Sequence, residues 1–277
     1  MIEHEIYIHV GHRKTATTWL QNQVFNLKNE RLNYLGKTSR EYPNWLLSWH
    51  YLDAFEFSNK KTEIAKDIQS RIDKDRVNLI SSEAFTNTGV IHEQAHRIKQ
   101  IIPNAKIIFV TRDPIELVLS HYRNDIQMGD AYCDIDEYLD WERTPMVIGK
   151  RKSIYLPDFF FIESLDLYKK LFGDANVLLL EYEELEIKPI NFIGKIEEFM
   201  GIEFNLNNKV FEKKENSSRF DATLRDKLRS NLEIKIANCI SNRSNLLNRS
   251  TVENSLVEDE LIEKLKCYFR ENANGSS

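Results

Sequence analysis

Three cysteines in 277 residues, Cys133, Cys239 and Cys267, are too few and too far apart to form a disulfide framework. No C-x-x-C pair or nearby histidine cluster accompanies them, so their spacing implies no zinc site. An isolated cysteine of this kind reads as a small buried hydrophobe. Positive charge is not in excess: 38 Lys and Arg stand against 43 Asp and Glu, a formal charge of −5. A general nucleic-acid binder usually carries a net basic domain, so that class is excluded, while one local basic pocket for a small anion is not. Nowhere does the sequence run through the ~20 consecutive apolar residues of a membrane span. Its first residues form neither the basic nor the apolar segment of a secretory signal, and the two absences together predict a cytoplasmic protein. No internal repeat and no low-complexity linker interrupts it.

Core material is plentiful, with 42% apolar residues, enough for one α/β domain with a long accessory segment. Short runs rich in β-branched and aromatic residues lie at 5–10, 77–81, 105–111 and 176–181 and read as buried strands. Between them, helical patterns cover 17–27, 44–73 (irregularly), 91–102, 114–128, 165–172 and 189–200. Pro114 suits a first helical position behind Asp113, and Gly129, Gly173 and Gly201 stand at helix stops. Such alternation predicts an α/β fold: a P-loop-like parallel sheet of about four or five strands flanked by helices. From about Asp221 onward the pattern is helical and polar. There Val257, Leu261, Leu265 and Phe269 recur every fourth residue, predicting a helical C-terminal extension that packs back on the body. The expectation is one domain over 1–277, with its core at 4–201 and a lid and helical segment at 202–272.

Chemistry concentrates first at the junction Gly11-His12-Arg13-Lys14-Thr15-Ala16-Thr17-Thr18-Trp19-Leu20. A strand that feeds a small-residue loop and then a helix turns backbone N–H groups and the positive helix end toward one anion. Lys14 adds a charge, and the hydroxyls of Thr15, Thr17 and Thr18 add donors. An ordinary capped turn accounts for the threonines. It does not account for Arg13 and Lys14 crowded at a helix N-terminus, where the dipole disfavours cations unless an anion is present. A nucleoside-triphosphate loop would need G-x-x-x-x-G-K-[ST], whereas here Lys14 follows Gly11 by three residues and the second Gly is missing. A P-loop nucleotide kinase or phosphotransferase is still one competing reading, and a non-catalytic nucleotide- or glycan-binding module is another.

A second concentration begins where the strand at 105–111 ends in Arg112-Asp113-Pro114, with Ser120 eight residues after Arg112. Open α/β sheets bind ligands at the carboxyl ends of their strands. An Arg fork and a Ser hydroxyl there suit a phosphate. Taken alone, Arg112 is as readily a partner for a carboxylate such as Glu116.

In this order and spacing the two segments resemble the sulfotransferase superfamily that uses 3′-phosphoadenosine-5′-phosphosulfate (PAPS). Lys14-Thr15-Ala16-Thr17-Thr18-Trp19-Leu20 is similar to its 5′-phosphosulfate loop, P-K-[ST]-G-T-T-W-L. Arg13 replaces the Pro, and Ala16 replaces the Gly, a change tolerated if φ there is negative. The K-T-[AG]-T-T form looks bacterial. Arg112 and Ser120 match the family's 3′-phosphate motif, R-[DN]-P with Ser at plus eight, and the stretch from Tyr168 to Gly201 resembles its later strand and helix. Asn216-Ser217-Ser218-Arg219 is either the family's cofactor-closing loop or a surface turn.

The resemblance implies sulfonate transfer from PAPS to an acceptor hydroxyl without a metal. Donor contacts would come from Arg13, Lys14, Thr15, Ala16, Thr17, Thr18, Trp19, Arg112 and Ser120, and Lys14 would also stabilise the leaving oxygen. Trp19 would stack on adenine or belong to the core. Glu83, in Ser81-Ser82-Glu83-Ala84-Phe85 at the end of the second strand, stands where carbohydrate enzymes of the family carry an acidic base. That position implies a glycan acceptor. Alternatively Glu83 caps a helix or pairs with Arg97 or Lys99, and His12, His50 or His121 is the base.

Overall fold

A computed structural model describes residues 4–27, 29–35, 52–86, 91–128, 138–140, 154–155, 161–207, 209–212, 263, 265–267 and 270. The chain divides into two compact units, residues 1–113 with 161–215 and residues 114–160 with 216–277. The first unit runs β1 (Ile6–His9), α1 (Thr17–Trp19), β2 (Leu32–Tyr34), α2 (Ala54–Arg71), β3 (Val77–Ser81), α3 (Ile91–Ile101) and β4 (Lys106–Thr111). The second holds α4 (Pro114–Met128), β5 (Leu139–Asp140) and β6 (Ile154–Tyr155). The chain then returns to the first unit with α5 (Phe161–Phe172), β7 (Val177–Glu181), α6 (Tyr182–Ile187), α7 (Pro189–Met200) and α8 (Lys209–Glu212).

All five strands of the first unit are parallel, in the order β2-β3-β1-β4-β7. Alternation along the strands divides the apolar residues between two faces. Tyr7, Leu79, Ile108, Val110 and Leu180 face one core, which Trp19, Leu20 and Phe25 join from α1 and its extension, and Phe192 and Ile196 from α7. On the opposite face the Phe109 ring meets Tyr168 of α5 edge-on, 5.5 Å between centroids. Each such fully buried aromatic or aliphatic side chain contributes roughly 1.5–3 kcal/mol.

The expected strands form within a residue of their predicted limits. β2 is an addition: three residues, one of them Asn33, are too short and too polar for a pattern. Pairing with β3 holds it, and the Asn33 Nδ2 donates to Asn78 Oδ1 at 2.7 Å. The first helix also differs from its pattern, because after α1 the chain winds as a π-helix from Leu20 to Phe25. That wider turn buries Gln21 and Phe25 and leaves Leu27 exposed. Of the irregular pattern over 44–73, the stretch 44–51 lies outside the described residues, and the rest holds α2, with Asp53 accepting from the Glu56 N–H at 2.8 Å as its N-cap. Of the four periodic tail positions only Leu265 is described, and it is buried. Val257, Leu261, Phe269, the stretch 216–219 and His50 lie outside the described residues. Among the described residues no helix is long and apolar enough to cross a membrane.

What positions the site is the register. His9 pairs with Ser81 on one side and Ile108 on the other, and the Val10 N–H reaches the Ile108 carbonyl at 2.9 Å. The ends of β1, β3 and β4 therefore open on the same edge. There the chain leaves β1 toward β3 and leaves β4 toward β7, the switch point where open sheets bind ligands.

Candidate active site

The loop after β1 is shaped by close approach. A Cβ on Gly11 would lie 2.5 Å from Thr17 Oγ1 and 2.7 Å from His9 Nε2, so only glycine fits. The His12 carbonyl then gathers three donors: the Thr15 N–H at 3.3 Å, the Thr15 hydroxyl at 2.5 Å and the Thr17 hydroxyl at 3.3 Å. Both hydroxyls, expected as ligand donors, are directed into the loop itself. They brace it around Lys14 and Ala16, which stand in the left-handed region at φ 68° and 60°. Alternating left- and right-handed residues curve a backbone into an anion-binding concavity.

Arg112, at the end of β4, reaches back to this loop. Its Nη1 donates to the Lys14 carbonyl at 3.0 Å, and its guanidinium lies 4.4 Å over the Tyr182 ring. The next residue is fixed from the same segment, with the Asp113 N–H donating to Glu183 at 2.9 Å. Sequence reading missed Tyr182. It stands in the stretch that resembles the family, but nothing local links it to an arginine 70 residues earlier. Ser120 is half-buried on α4 in the second unit, with buried His121 beside it.

Glu83 opens a 3-10 turn, Glu83–Thr86, directly beyond β3. The Thr18 hydroxyl donates to its Oε1 at 3.5 Å. Burial raises its pKa above the usual carboxylate value, while Arg13 and Lys14 pull it back down. The carboxylate therefore shares the electrostatic environment of the loop cations. Its two alternative partners are engaged elsewhere: Arg97 with Glu93 and the Leu52 carbonyl, Lys99 with the Pro103 carbonyl at 2.8 Å. Among the rival histidines, His12 is buried edge-on against Phe161 at 5.1 Å. One histidine that the sequence reading passed over, His9, lies beneath the loop. Its Nδ1 is 2.8 Å from Ser81 Oγ, and burial pushes its pKa down to about 3, so it is neutral.

The Sulfotransferase domain family model matches residues 6–277, nearly the whole chain. This chain is a member of that family and is a sulfotransferase.

Among solved structures, the sulfotransferase of Alicyclobacillus acidocaldarius superposes with a TM-score of 0.53 at 16% identity, over 86% of this chain and 94% of its own. Mouse sulfotransferase SULT7A1, solved in complex with PAP, is 15% identical over 100% of this chain and 86% of its own, with a TM-score of 0.44. At 16% identity the first of these likenesses speaks for the fold alone. No curated protein matches the chain.

Membership gives the loop's departures a physical meaning. Ala16 stands where the family usually has glycine, and its φ of 60° fails the condition under which alanine was expected to be harmless. A left-handed alanine costs about 1–2 kcal/mol, so this sulfotransferase carries strain at the centre of its loop. Trp19 is buried in the core, its ring 6.1 Å from Phe211 and its Nε1 donating to the Val210 carbonyl at 3.4 Å.

Proposed function

We propose that this sulfotransferase moves a sulfonate group from PAPS to a hydroxyl of a carbohydrate. One observation supports the reading above the rest: Arg13, Lys14 and a half-buried carboxylate, Glu83, converge at the carboxyl ends of adjacent strands. Cations for an anionic donor and a base for its acceptor are thus side by side.

The curved backbone around left-handed Lys14 and Ala16 suits the 5′ end of the donor, which supplies an activated sulfonate on a phosphate leaving group. Residues 16–18 offer it backbone N–H groups, that of Thr15 being turned onto the His12 carbonyl. Thr15 and Thr17 act through the shape their hydroxyls impose, and Trp19 anchors the start of the helix to the core. Lys14 stabilises the charge that develops on the bridging oxygen as its bond to sulfur breaks. Arg112, kept in place by Tyr182 and the Lys14 carbonyl, binds the 3′-phosphate, and Ser120 is the hydroxyl that the sequence motif assigns to the same group. Glu83 takes the acceptor's proton as the new oxygen–sulfur bond forms. An ionised carboxylate with a raised pKa suits that role near neutral pH, and an acidic base is what favours a glycan acceptor.

The test pairs donor binding with turnover. Adenosine 3′,5′-bisphosphate should raise the melting temperature and ATP with Mg²⁺ should not. An acceptor panel with labelled sulfate donor should then show the sulfonate mass shift on a carbohydrate. Stabilisation by ATP with Mg²⁺ alone would overturn the donor assignment, and turnover confined to phenols or tyrosyl peptides would overturn the acceptor.

A further inference from the structure

The hydroxyl of Thr86 lies between the two segments that build the site. Thr86 closes the turn begun by Glu83 and is buried, 1% exposed. Its Oγ1 donates to the Gly11 carbonyl at 2.9 Å and approaches the Glu83 carbonyl at 3.1 Å. A hydroxyl has a single proton, so the two carbonyls share it. The first of them opens the donor loop after β1, and the second belongs to the residue that bears the carboxylate. A 3-10 turn of four residues has poor internal hydrogen bonding and fixes its own direction weakly. Ladder pairing reaches the Ser82 N–H, which donates to the His9 carbonyl at 3.2 Å, and Thr86 carries the connection between the same two segments on past the ladder, to Gly11.

We propose that Thr86 is a positioning residue that ties the carboxylate-bearing turn to the donor loop and so holds Glu83 in place opposite Lys14. The inference rests on Glu83 being the base. Groups facing that carboxylate are Arg13 and Lys14 from the loop and Thr18 from α1. If the tie is cut, the turn drifts toward water and the desolvation that raises the Glu83 pKa is lost. Its titration then falls back toward the ordinary carboxylate range.

Thr86→Val keeps the volume and removes the donor, and Thr86→Ser restores it. In Thr86→Val, kcat should fall about tenfold or more, and the acidic limb of kcat should move to lower pH. Affinity for adenosine 3′,5′-bisphosphate should stay within about threefold of wild type, and Thr86→Ser should recover both rate and limb. An unchanged rate and limb would overturn the inference. So would a loss of bisphosphate affinity parallel to the loss of rate, since Thr86 would then serve the whole loop. Should Thr86→Val not fold, Thr86→Ala is read in the same assays, and failure of both to fold marks Thr86 as scaffold and also overturns it. Glu83→Gln in parallel separates the two readings. If it keeps full turnover, the base assignment fails. If it loses turnover while Thr86→Val does not, only the role of Thr86 fails.

Discussion

Glu83→Gln separates proton transfer from everything else the carboxylate does. Glutamine keeps the shape and the hydrogen bond from Thr18, yet it cannot accept a proton. Loss of a positioned general base costs roughly 10²- to 10⁴-fold in turnover. Donor affinity should move the other way. Glu83 lies in the field of Arg13 and Lys14, the cations assigned to the donor, and so competes with it for their charge. Removing one like charge from a partly buried anion site is worth about 1 kcal/mol, which allows the bisphosphate to bind up to about fivefold tighter.

The same burial sets the pH dependence. Because desolvation raises the carboxyl pKa, the acidic limb of turnover should lie above the ordinary carboxylate range. Bound donor adds negative charge, so the limb should lie higher in kcat than in kcat/KM. A carboxyl whose folded pKa exceeds its unfolded one lowers stability as pH rises through the folded value, and has no such effect below the unfolded one. Glu83→Gln should therefore raise the melting temperature at pH 7 and leave it unchanged near pH 4. Steady-state kinetics across pH, calorimetry with the bisphosphate and thermal melts at the two pH values measure all of this. Normal donor binding with full turnover, or an acidic limb that persists in the variant, would refute the base assignment. A collapse of donor affinity would make Glu83 structural.

Ala16→Gly removes a left-handed strain of about 1–2 kcal/mol and returns part of it as unfolded-state freedom, about 0.4–1 kcal/mol. The expected result is a melting temperature higher by roughly 1–2 °C; a fall of several degrees would show that Ala16 is not left-handed in solution. Arg112→Ala should weaken the bisphosphate more than Ser120→Ala does, by about 1 kcal/mol or more. Because Arg112 also holds the Lys14 carbonyl, its loss should weaken adenosine 5′-monophosphate too, whereas Ser120→Ala should affect the bisphosphate alone. Equal affinity of the wild type for the two nucleotides, measured by calorimetry, would end the 3′-phosphate assignment.

Local pattern was enough to show the α/β class and the strands β1, β3, β4 and β7, and to single out the two segments assigned to the donor. Each is written in consecutive residues: β-branched runs, a Lys and an Arg at a helix start, an Arg at a strand end with a Ser eight residues on. Even Glu83 could be singled out, because a strand end is a local event and strand ends in such sheets share one edge. Other features depended on contacts distant in sequence. β2 exists through its pairing with β3, and the π-helix after α1 follows from burying Gln21 and Phe25 against the sheet. The left-handed φ of Ala16 is imposed by the loop closing on the His12 carbonyl, against what alanine prefers. Arg112 meets the Lys14 carbonyl 98 residues away, and Thr86 meets the Gly11 carbonyl 75 residues away. Periodicity and propensity describe how a segment folds on itself. Which carbonyl a buried donor finds depends on the strand order, and strand order is decided by packing the whole sheet.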